Sequence, residues 1–221
     1  MANGRQATVK RLNMAERAQQ QMDLHFPGTD PRFMWHRKRN DGFTTIPRTM
    51  PLVMQAVDEA SKGTPPGHVL FCLWARSPDN PLLTIENPAT FAAEAGFSGE
   101  RIVDTWRKRM KKLREHGMIL TKKGATGDFH HVLLLNPNTG VETMRTHKNV
   151  SDDLYGRFID RMAEVGAYGE IEGIREFWAE QAAAAAAVKA AAAEAGPKNT
   201  PAVTKPRKRS KVKVQKKEDL I

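Results

Sequence analysis

A mainly helical fold with one small β-hairpin is what this chain of 221 residues predicts. Three observations carry that expectation. Apolar residues recur three and four positions apart over most of the chain, which is the period of a helix with one buried face. β-favouring runs are confined to the middle, where Met118–Lys122 and Phe129–Leu135 flank the Gly-containing stretch KGATGD. Helix starts and stops punctuate the pattern, as at Asn87-Pro88 and Gly96.

The composition sets the outer bounds. Hydrophobic residues at 40% and charged residues at 27% support a packed core, and 7% aromatics make it a modest one. A single cysteine, Cys72, excludes an internal disulfide framework and fits a reducing compartment. The longest apolar run, Val69 to Ala75, falls well short of the roughly 20 residues of a membrane span. The first residues are polar and basic, without an apolar signal core. The expectation is a soluble, cytoplasmic protein.

The formal net charge is +10, and it is segregated. Residues 1–48 carry +5, residues 49–100 carry −4, residues 101–123 carry +7, residues 124–196 carry −5 and residues 197–221 carry +7. A merely solvated surface mixes its signs. Blocks of one sign build local potential, and positive blocks attract polyanions.

The elements follow in order. Residues 1–41 are polar and basic and read as a flexible arm, with a short helix over Ala15 to Leu24. Gly42 to Arg48 reads as extended, because Thr and Ile favour strands and Pro47 restricts Ile46. Leu52, Val53, Ala56, Val57 and Ala60 place a helix over Pro51 to Ser61. His68 to Arg76 is a buried apolar segment; periodicity alone leaves a strand open, and its place in the pattern makes it a helix. Leu82 to Ile85 is a short strand candidate. Asn87 caps, and Pro88 opens, a helix to Ala95 that Gly96 stops. Ser98 is expected to cap the next helix, running to His116 and stopped by Gly117. The hairpin then follows, and Asn136-Pro137 closes it. Beyond Asn138 come a helix over Asp152 to Val165, a break at Gly166 to Gly169, and a long helix from Glu170 to Ala195 whose second half is almost all alanine. Residues 197–221 lack periodicity and read as a disordered basic tail. The organisation expected is a 1–41 arm, a 42–137 domain, 138–196 helices for interaction or dimerisation, and the 197–221 tail.

A helix, a glycine turn, a longer basic helix and a hairpin with a Gly-rich tip stand in NPATFAAEAGFSGERIVDTWRKRMKKLREHGMILTKKGATGDFHHVLLL, residues 87–135. This stretch resembles the winged helix-turn-helix family of DNA-binding domains. The resemblance implies that the second helix of the pair enters the major groove and that the hairpin, the wing, contacts backbone or minor groove. Gly42 to Leu52 (GFTTIPRTMPL) ahead of it is similar to plasmid- and phage-borne replication or maintenance proteins.

The residues of the second helix agree on their own terms. Ile102, Val103, Trp106, Met110 and Leu113 share one face. Arg101, Thr105, Lys108 and Lys112 form a stripe opposite, flanked by Arg107, Lys111 and Arg114. These are donors long enough to reach phosphates and base edges. Lys122 and Lys123 at the wing entrance, Thr126 near its tip and Ser98 complete the expected DNA contacts, with Arg207, Lys208 and Arg209 in the tail adding affinity without reading sequence. The tail also reads as a solubilising segment.

His130 and His131 are adjacent on a strand, so alternation sends them to opposite faces. The seven histidines and Cys72 have no metal-ligand spacing, and Cys72 reads as inert core. There is no Gly-rich phosphate loop, nucleophile elbow or carboxylate cluster suited to metal ions. The expectation is a non-catalytic, cofactor-free, sequence-specific duplex DNA-binding protein, with no evident small-molecule ligand. It acts as a transcriptional regulator or as an accessory factor in plasmid or phage replication or partition, and is nucleoid-associated. RNA binding and a protein-interaction module are the alternatives. A homodimer is expected through the helices of Asp152 to Ala187, using Phe158, Ile159, Ile174, Phe177 and Trp178; the same residues could instead pack within one chain.

Overall fold

Eight α-helices and a three-stranded antiparallel sheet make up the described residues, 14–194, of the computed structural model. By contact density the chain divides into two units, Met1–Ile171 and Glu172–Ile221. The tail residues Arg207, Lys208 and Arg209 lie outside the described residues.

The first unit begins with α1 (Met14–His25), a 3-10 turn at Pro31–Phe33, and an extended run into α2 (Met50–Ala60). Gly42 to Arg48 is extended as its composition predicts, but joins no sheet. Thr44 Oγ1 donates to the Ser77 carbonyl at 2.7 Å, and Thr45 bonds to Asp79, so the run is pinned to the loop beyond α3 (Gly67–Ala75). Those bonds hold the Asp79 carboxyl below its ordinary range, the Thr45 hydroxyl contributing most.

β1 (Leu82–Thr84), α4 (Pro88–Glu94), α5 (Ile102–Glu115), β2 (Ile119–Gly124) and β3 (Gly127–Leu134) follow. The strand order is β1-β3-β2. The sequence predicts a two-stranded hairpin; the structure adds β1 to it, with Leu82 opposite Leu133 and Thr84 opposite His131. The helix pair is thereby bracketed by strands of one sheet, which fixes both ends of its path.

The hairpin tip is tighter than predicted, only Ala125 and Thr126 standing outside the strands. Between the Lys122–His131 and Gly124–Gly127 pairs, Lys123 alone faces Asp128, Phe129 and His130. This bulge in β3 turns Phe129 inward although Val132 is also buried. It also breaks the alternation expected of the two histidines, whose rings meet at 4.4 Å. At the same place Gly124 is required: a Cβ there would stand 2.1 Å from His130 Cδ2.

One helix is absent from the sequence reading. α6 (Pro137–Thr146) opens on Asn136, whose side chain accepts from Asn138 N at 2.9 Å, with Pro137 in its first turn. It is the same Asn-Pro start that opens α4 at residues 87–88. Both α6 and α7 (Asp152–Glu164) pack on α2. Val141, Met144, Leu154, Phe158 and Met162 belong to one core with Val53, Val57, Leu70 and Trp106. The boundary expected at residue 137 therefore does not divide the core. Phe158 is buried and Ile159 packs against the core, within the chain itself. A polar chain running from the core to the surface fastens the same region: buried Thr49 Oγ1 donates to buried Asn138 Oδ1 at 2.5 Å, and Asn138 Nδ2 donates to exposed Glu170 Oε2 at 3.0 Å.

α8 (Gly169–Glu194) begins in the first unit, where Ile171 is buried, and continues through the second. Among its described side chains, the alanine-rich half is exposed. No described helix is long and apolar enough to cross a membrane.

Phe158→Ala should lower unfolding stability by about 3–5 kcal/mol, the usual loss for emptying a phenylalanine site in a core. The measurement is urea unfolding at two protein concentrations. A midpoint shift independent of concentration marks a core residue; a concentration-dependent shift would mark an intermolecular one.

Candidate nucleic-acid interface

The site is built on Trp106. Its ring lies between Phe91 of α4, at 6.3 Å, and Phe129 of β3, at 5.9 Å and 77°. All three are buried. The contact with Phe129 is edge-on and that with Phe91 tilted at 53°; aromatic pairs favour such offset geometries over a face-to-face stack, and together they pack the inner face of α5 against both neighbours. Met110 and Leu113 extend that face, as their helical spacing predicts.

The turn into α5 differs from expectation. Ser98 does not cap it; α5 begins at Ile102, and Arg101 occupies the capping position without a side-chain bond. Gly99 has φ +90°, outside the right-handed helical region, so no helix can pass through it. Ser98 is left exposed in the turn.

Opposite Trp106, α5 and the hairpin enclose an open cleft of about 710 Å³. Arg101, Thr105, Lys108 and Lys111 line it from the helix, with Lys123 from β2. Asp104 and Arg107 stand on the same wall 3.6 Å apart, as an exposed ion pair. Asp128 is a second carboxylate at the mouth.

Not every predicted basic residue joins this group. Lys112 Nζ is 2.7 Å from Glu115 Oε2. Arg114 places its guanidinium 5.4 Å from the Phe129 ring and donates to Thr121 Oγ1 at 3.2 Å, tying α5 to β2. Arg109, half-buried, stands over Phe97 at 5.7 Å. Lys122 alternates away from Lys123 onto the outer face of the sheet, beside Leu120 and Leu133. Thr126 turns back from the tip: its hydroxyl donates to the Ile85 carbonyl at 2.6 Å and lies 2.9 Å from His130 Nδ1. The sequence thus locates the basic helix, and the structure sorts its cations into those lining the cleft and those bracing its walls.

Among the described residues no group of His, Cys, Asp and Glu is arranged to hold a metal ion. Cys72 is buried, and burial pushes its thiol up, with Glu94 adding to the effect.

His116 closes the C-terminal end of α5, its Nε2 2.9 Å from the buried Ser61 Oγ. Burial, and then Lys112, hold its imidazole below the ordinary 6.5, with Glu115 opposing. The unfolded chain therefore takes up the proton more readily. Stability from this group is fully present above pH about 6.5 and declines as the pH falls below it. In urea unfolding between pH 7.5 and 5.5, His116→Gln should show a smaller loss than the parent chain; equal losses would remove His116 from this role.

No family model, no curated protein and no solved structure matches this chain.

Proposed function

We propose that this chain binds duplex DNA in a sequence-specific manner, as a winged helix-turn-helix protein without catalytic activity. One observation carries the reading: Arg101 from the capping position of α5, Lys108 and Lys111 from its exposed face and Lys123 from the hairpin line one open cleft. Cations on two elements, held at fixed separation by a buried aromatic cluster, suit a helix laid in a groove with a hairpin against the adjacent backbone. Arg101 and Thr105, near the start of α5, are the candidates for base contacts. Lys108 lies one turn on, and Lys111 and Lys123 are the phosphate contacts. The bracing roles of Lys112 and Arg114 make them secondary.

The biological setting that fits this reading is a nucleoid-associated regulator, or an accessory factor in plasmid or phage replication or partition. Pairing of two copies on a palindromic site belongs to the same proposal. Phe158 and Ile159 are taken by the chain's own core, which leaves α8, where Phe177 is half exposed, as the surface for it.

Selection of bound fragments from genomic DNA, followed by titration against that site, random duplex and matched RNA at several salt concentrations, tests the proposal. Arg101→Ala should weaken the selected site by about 1–3 kcal/mol while leaving random duplex nearly unchanged. Lys123→Ala should weaken both alike and lower the slope of log affinity on log salt by about one. Equal affinity for all duplexes, or preference for the RNA, would overturn the reading.

Removal of residues 197–221 should weaken selected and random duplex by a similar factor and flatten the same salt dependence. A changed sequence preference, or an unaltered slope, would replace the phosphate-clamp role of the tail with a solubilising or partner-binding one.

A further inference from the structure

We infer that the segment from Phe26 to Phe43 is a second nucleic-acid site, one that stacks unpaired bases of a single strand. Its aromatic rings face water: Phe33 is 87% exposed, Phe26 67% and Trp35 66%. Phe91, Trp106, Phe129 and Phe158, by contrast, are buried, and Phe71, the other exposed large aromatic of the first unit, is only 39% exposed. Trp35 meets Phe43 edge-on at 5.9 Å, and Arg37 stands 5.3 Å from the centre of the Phe43 ring. The bonds of Thr44 and Thr45 to Ser77 and Asp79 anchor the adjoining residues to the core. Phe43, which the Trp35 ring meets, is thus next to an anchored pair of residues.

Beside the exposed rings α1 and the Met34–Arg39 stretch enclose a groove of about 860 Å³, with Phe26 and Trp35 in its walls and Lys38 and Arg39 at its side. Among the described residues neither Lys38 nor Arg39 has an ion-pair partner, whereas Arg32 is held by Asp30 at 2.6 Å. Exposed rings interleaved with available cations fit a strand whose bases stack and whose phosphates need neutralising. In a duplex the faces of the bases are already covered, so such rings select unpaired bases. A lipid surface suits them less: α1 is mostly polar, and Asp23, Asp30 and Asp41 are interspersed through the segment. This site shares no residue with the α5 cleft and does not depend on the duplex reading.

The test uses the full chain and a labelled thymidine oligonucleotide of about 20 nucleotides, a length that spans such a site. Blunt duplex and anionic phosphatidylserine vesicles serve as the other arms. The parent chain should bind the oligonucleotide, and Phe33→Ala with Trp35→Ala should weaken it tenfold or more with duplex affinity within twofold. Both side chains are exposed, so the circular dichroism of the variant should match the parent. Trp35→Phe should keep most of the affinity, because it keeps a stacking ring. Lys108→Ala with Lys111→Ala in the cleft should leave oligonucleotide binding within twofold. Absence of binding by the parent chain, unchanged binding by the double aromatic variant, loss caused by the cleft variant, or loss of vesicle binding in place of oligonucleotide binding would each overturn the inference.

Discussion

The packing of Trp106 between Phe91 and Phe129 is the contact on which the rest of the cleft depends. It joins α4, α5 and β3 through one buried ring. With the Arg114–Thr121 bond, it sets the distance of the basic face of α5 from Lys123. The bulge in β3 serves the same contact, since it is what turns Phe129 inward beside Val132. Core and surface are thus specified together: the side of α5 that packs determines where the side that displays charge will point.

Charge alone does not make an interface. α5 and β2 carry many cations, yet several are engaged in holding the domain together. Arg114 lies against Phe129 and Thr121, Arg109 against Phe97, and Lys112 against Glu115. The exposed Lys112–Glu115 pair contributes little stability but lowers the local potential, whereas the aromatic and hydroxyl contacts of Arg109 and Arg114 orient those side chains without cancelling their charge. The positive face that remains is narrower than the composition suggests, and it is concentrated where helix and hairpin approach each other.

Much of this architecture was legible in the residues. The periodicity of Trp106, Met110 and Leu113 gave the buried face of α5, and the runs around KGATGD gave the hairpin. What escaped has identifiable causes. Ser98 is a good cap by type, but Gly99 adopts a positive φ and delays the helix to Ile102. Simple alternation misplaced His130 and His131 because a bulge is a property of strand pairing and leaves no mark in local periodicity. The burial of Phe158 depends on α6 and α7 packing on α2, a long-range choice that an amphipathic helix alone leaves open. Thr126 stands at the tip, as its place in KGATGD predicts, but its hydroxyl turns inward to Ile85, which sequence position alone does not tell.

The pairing of β1 with β3 also governs when the site can come into being. Leu82 must wait for Leu133, and the closure encloses all of α4, α5 and β2. The entropy of closing so long a loop is recovered only when the whole set docks. On a ribosome, β1 emerges first among the strands and waits longest for β3, the partner it shares with β2. A nascent chain that ends anywhere before β3 has the basic helix but no frame to hold it, so its cations are unplaced until the sheet is complete. The two walls of the cleft therefore come together only once β3 has been made.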